Sequence, residues 1–172
     1  MNELPAAQPE RILPIIPMAL QRPEKPWLAV LGGWMLTLSG SLLLAFIARQ
    51  IFPAAPPPDF GNLKGGMAVF MLVVFAPILE TLIMAFMLWV LLFFIPARWA
   101  ILVAALSWGV FHSLEAPTWG ISIWWPFLIF SLQFVVWRQR GTGWGLAIPA
   151  MTHACQNLLP AIAFAYGVGP LA

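Results

Sequence analysis

Long apolar runs separated by short polar or proline-rich breaks dominate this chain. The first extends from about Trp27 to Phe52 and stops at Pro53-Ala-Ala-Pro-Pro-Pro58, which cannot continue a helix. A second covers about Gly65 to Ile95 and contains Pro77; it is long for one crossing, so it is expected to tilt, kink at the proline or reach past the bilayer. A third covers about Arg98 to Leu114 and ends before Pro117. The fourth, about Trp119 to Trp137, is rich in β-branched and aromatic residues, but in lipid a lone segment satisfies its backbone only as a helix. After the polar turn Arg138-Gln-Arg-Gly-Thr-Gly143, a fifth run covers about Trp144 to Tyr166, with prolines at 149 and 160. The pattern predicts an all-α polytopic membrane protein. Its spans are 27–52, 65–95, 98–114, 119–137 and 144–166, forming one transmembrane domain over residues 27–172.

Composition agrees with that solvent. Of 172 residues, 62% are hydrophobic and 8% charged, more apolar surface than a water-soluble domain of this size can hide. The net charge of +2 comes from few groups and carries no nucleic-acid footprint. Tryptophans such as Trp27, Trp99, Trp119 and Trp144 suit helix ends at headgroup level. Cys155 is the single cysteine, so no intrachain disulfide or multi-cysteine metal site can form. Residues 1–26 are broken by Pro5, Pro9, Pro14, Pro17 and Pro23 and lack a signal-peptide h-region. They read as an irregular, proline-rich cytoplasmic arm that touches the membrane through Ile12 to Leu20. Five spans with an inside N-terminus put Arg11, Arg22, Lys25, Arg98, Arg138 and Arg140 on the cytoplasmic side and only Arg49 and Lys64 outside, which favours that orientation. A bacterial inner membrane is the expected location.

Against this background three ionisable residues stand out. Glu80 is the only charged side chain between Lys64 and Arg98. A charge at that depth costs on the order of a few kcal/mol, so such residues face a protein interior and carry function. His112 and His153, the only histidines, lie one each on the third and fifth runs. His153 and Asn157 share a helix face at a spacing of four, with Thr152 and Gln156 on the adjoining flank. Pro149 and Pro160 free the carbonyls of Gly145 and Gln156, as suits a helix lining a polar cavity. The alternative for His153 and Asn157 is an interhelical polar clamp. For His112, Glu115 either orients the imidazole or marks the aqueous boundary. Three readings from other classes stay open: a bis-histidine haem protein using His112 and His153, a proton-coupled transporter using Glu80, and an inactive scaffold binding hydrophobic peptide tails.

Pro77-Ile-Leu-Glu80-Thr, Trp108-Gly-Val-Phe-His112, and the stretch from Arg140-Gly-Thr-Gly-Trp through His153-Ala-Cys-Gln-Asn157 together resemble the CAAX-protease and bacteriocin-processing (CPBP) family of intramembrane endopeptidases. The resemblance covers roughly Gly65 to Leu159. That family's pattern is Glu-Glu-x-x-x-Arg, Phe-x-x-x-His and His-x-x-x-Asn on successive helices. Here Thr81 stands in place of the second glutamate and Ala85 in place of the arginine, so both partners of a plausible buried pair are absent together, a change that can be nearly neutral. Trp108 replaces the phenylalanine. The resemblance implies a peptidase site of Glu80, His112, His153 and Asn157. Glu80 would activate water, His112 would position it, and His153 with Asn157 would stabilise the oxyanion. The substrate would be a membrane-anchored or exported protein, cut near its hydrophobic or lipid-modified tail. The mechanism favoured here requires no cofactor; a divalent metal held by Glu80, His112 and His153 as a His₂Glu set is the alternative.

Overall fold

The computed structural model describes residues 11–167, so residues 1–10 of the expected arm, with Pro5 and Pro9, and residues 168–172 lie outside the described residues. Among the described residues five long helices run up and down: α1 (Pro26–Ile51), α2 (Gly65–Leu91), α3 (Ala97–Glu115), α4 (Trp119–Trp137) and α5 (Thr142–Tyr166). The first four are long and apolar enough to cross a bilayer, which makes this an integral membrane protein. The fifth is long enough but carries the polar stripe anticipated from its sequence.

Each boundary has a local cause. Pro26 opens α1 at a position where its missing N–H is no loss. The second helix ends at Leu91, earlier than the expected 95, because Pro96 disfavours helical backbone at Ile95; residues 92–94 close it with tight turns. Gly141, at φ 117°, turns the chain between α4 and α5 where a side chain would be strained.

The fourth helix is the hub. Residues Pro126 to Trp137 are all buried, so a run that is apolar but for Ser131 and Gln133 finds protein on every side. Around it the other helices approach closely through small residues, the usual device where lipid supplies no hydrophobic drive. Gly120 of α4 lies against the backbone of Gly109 in α3, leaving no room for a Cβ. On α1, Gly33, Thr37 and Ser41 form a buried stripe, and Gly40 sits under the Trp125 ring. Polar clamps fasten this side. Gln156 of α5 accepts from the Thr37 hydroxyl at 2.8 Å and donates to Ser41 Oγ at 2.9 Å. Trp125 Nε1 donates to the Leu36 carbonyl, and Gln133 Nε2 to that of Ala29, each at 2.8 Å.

The arm differs from expectation. Leu13, Ile16 and Leu20 are buried against the bundle instead of lying on lipid. Gln21 holds the turn closed: its Oε1 accepts from the amides of Ile12 and Leu13, and its Nε2 donates to the carbonyls of Leu13 and Ile16, at 2.8–3.0 Å.

Candidate functional site

Pro77 shapes the helix that carries Glu80. Instead of a simple kink, α2 passes through a π-helical turn at Met71–Phe75. There the Ala76 amide donates to the Met71 carbonyl, five residues back. In that register the Leu72 carbonyl would face the nitrogen of Pro77, which has no hydrogen. Asn157 supplies the missing donor from α5, its Nδ2 lying 2.9 Å from Leu72 O. This is the clamp anticipated as an alternative for Asn157, and it answers a vacancy created by a proline on another helix. One Asn157 N–H is used here; the amide carries a second.

One turn past Pro77, Glu80 meets His153. The Glu80 Oε2 to His153 Nε2 separation is 3.8 Å, an ion-pair distance too long for a direct hydrogen bond and wide enough for one water to contact both atoms. The Glu80 side chain is 23% exposed and that of His153 only 5%, so the pair sits just inside the protein surface, within the apolar slab. Two aromatic rings of α4 fix the imidazole: Phe130 stacks on it at 4.6 Å between centroids, and Phe127 meets it edge-on at 5.4 Å. His153 Nδ1 is buried and has no hydrogen-bond partner.

His112 stands apart from this pair. Its Nδ1 lies 2.9 Å from the Trp108 carbonyl, which requires the ring hydrogen on Nδ1 and leaves Nε2 as the free nitrogen. Glu115, for which both orienting the imidazole and marking the boundary were open, is exposed, and the bond that fixes His112 goes to Trp108 instead. His112 and His153 both touch Phe127, at 5.9 and 5.4 Å between ring centroids, and Trp108 stacks on the same ring at 4.5 Å. The four expected residues therefore form a linked cluster on three helices: Glu80 and His153 in contact, Asn157 holding the backbone of the glutamate's helix, and His112 joined through Phe127.

Among the described residues no three acidic, histidine or cysteine side chains converge as a metal-ligand set. Glu80 and His153 provide two such groups, and a His₂Glu site would need His112 brought to them. A haem bridging His112 and His153 would likewise need the space that Phe127 occupies.

Sequence reasoning missed Phe127 and Phe130, because nothing in so apolar a run says which rings face a histidine. It also missed the buried Ser131 hydroxyl, which like that of Thr81 has no partner. Thr81 and Ala85, the departures from the protease pattern, are 2% and 7% exposed and face the interior as an interacting pair would. Compared with family models, curated proteins and solved structures, the chain matches none.

Proposed function

We propose that this protein is an intramembrane endopeptidase in which Glu80 and His153 activate a water between them. The 3.8 Å juxtaposition of a carboxylate and an imidazole from two different helices, within the apolar slab, carries this reading. Glu80 takes a proton from the water as it attacks the peptide carbonyl, and returns it to the leaving amine. The second N–H of Asn157 is the candidate donor to the oxyanion, a role worth about 3–4 kcal/mol when well placed. His112, with Nδ1 anchored, offers Nε2 for positioning water or substrate. Membership of the CPBP family, in a branch lacking the Glu-Arg pair at Thr81 and Ala85, belongs to the same proposal. So do five spans with α5 crossing, a cytoplasmic N-terminus in a bacterial inner membrane, and a membrane-anchored or exported protein as substrate.

The test is mapping of new peptide termini in membranes of cells producing wild type, Glu80→Gln or His153→Ala. Wild type should generate cuts next to hydrophobic tails and both variants should lose them; undiminished cutting by Glu80→Gln refutes the assignment. Orientation is tested by labelling Leu114→Cys in a Cys155→Ser background, which should react from the external face.

The second reading is an inactive scaffold that holds hydrophobic peptide tails. It is favoured by the engagement of Asn157 with Leu72 and by the missing Glu-Arg pair. It predicts that tails co-purify equally with wild type and Glu80→Gln, and that no new termini appear.

A further inference from the structure

The two ends of the bundle carry unlike charge. Among the described residues, the end where α1 begins holds Arg11, Arg22, Lys25, Arg98, Arg138 and Arg140 against Glu24 alone; the opposite end balances Arg49 and Lys64 with Asp59 and Glu115. At the basic end the arm and the first turn of α1 flank an open groove of about 360 Å³, lined by Met18, Ala19, Arg22, Glu24, Lys25 and Leu28. The wall is built, because the Gln21 clasp and the buried Leu13, Ile16 and Leu20 fix the turn that presents Arg22. Arg140 ties the same segment to the α4–α5 turn through the Pro23 carbonyl at 3.3 Å.

Two features define the chemistry it would accept. Its charged lining is net positive, with Glu24 held loosely at 3.9 Å from Arg22. Below it, Leu28 continues along α1 into Leu31 and Met35, which share its face and are 48% and 68% exposed. A cationic cup opening onto an exposed apolar stripe has the form of a phospholipid: phosphate above, acyl chain below. Trp27 and Trp144, both exposed at the same end, place the cup at headgroup level. We propose that this groove binds an anionic glycerophospholipid, with Arg22 and Lys25 on the phosphodiester and the acyl chain along Leu28, Leu31 and Met35. This site is independent of the peptidase reading.

The full chain, reconstituted in nanodiscs of phosphatidylcholine with a minority of phosphatidylglycerol, is released into the gas phase and its retained lipids are counted by native mass spectrometry. Wild type should retain phosphatidylglycerol preferentially. The double variant Arg22→Gln/Lys25→Gln should lose that preference by roughly thirtyfold, from two cations acting together, while Arg22→Lys/Lys25→Arg keeps it. The control Arg98→Gln/Arg138→Gln, at the same end outside the groove, should keep it too; equal loss in the control reduces the effect to diffuse attraction and overturns the site. Soluble glycerol phosphate should fail to displace the retained lipid. If it competes, the groove is a free-phosphate site and the lipid assignment is wrong. Helical circular dichroism of each variant must match wild type, and a fold-preserving Arg22→Gln/Lys25→Gln that retains phosphatidylglycerol normally also overturns the proposal.

Discussion

Gln156 and His153 are neighbours on one helix, yet they face two different regions. On the α1 side, Gln156 uses both ends of its amide, on Thr37 and Ser41, and Trp125 closes onto a helix carbonyl. On the α2 side, His153 approaches Glu80 without a direct hydrogen bond, keeps Nδ1 bare, and lies in a core where Thr81 also lacks a partner. Gln133, with Oε1 unpaired, and Trp34 of α1, with Nε1 unpaired, are exceptions on the first side. The contrast separates polar groups that hold helices together from polar groups held in reserve. In a medium without water, unused hydrogen-bonding capacity is costly, and its persistence beside an acid and a base is what the proposed chemistry would use.

The largest break in this comparison is expected from Glu80→Gln. It keeps the shape of the side chain and removes the base, so the rate of terminus formation should fall roughly 10²–10⁴-fold while resistance to unfolding in detergent stays close to wild type. A loss of stability as large as the loss of cutting would make Glu80 another structural clamp. Next comes Gly120→Leu, which forces a side chain into the Gly109 backbone and should destabilise the α3–α4 crossing by about 3 kcal/mol or more. Thermal unfolding in micelles measures it, and a tolerated leucine would mean that α3 and α4 stand further apart.

Asn157 sharpens the comparison because it belongs to both regions. Asn157→Leu should cost about 1–3 kcal/mol by stranding the Leu72 carbonyl. The same change in a Pro77→Ala background should cost less, since an alanine there restores the backbone N–H that the proline lacks. Additive costs in that double-mutant cycle would refute the link between the proline and the amide. The smallest effect is expected from Thr37→Val, about 0.6 kcal/mol, the average for interhelical hydrogen bonds in a bilayer. Cutting should be unchanged in that variant.

The helices were legible because their cause is local. Membrane-length apolar runs, the breaks at Pro53 to Pro58 and Pro96, and the turn at Gly141 act within a few residues of the chain. Glu80, His112 and His153 were legible as rarities, since any ionisable group among so many apolar neighbours is conspicuous. Their division of labour was not. That one Asn157 N–H is held by the Leu72 carbonyl depends on Pro77, far earlier in the chain and on another helix, through a π-turn that local propensity does not announce.

Composition and periodicity alone thus determined a helical protein embedded in lipid, with an acid and two imidazoles on separate helices, because transfer out of water depends on what each segment is made of. Only the tertiary structure decided which of those groups meet, with Phe127 and Phe130 choosing the seat of His153 and the α5 register bringing it to Glu80. That choice rests on side-chain shape and helix rotation; the polar stripe of α5 says which face turns inward, and the mostly apolar faces it meets leave little polar pattern from which to read the partner.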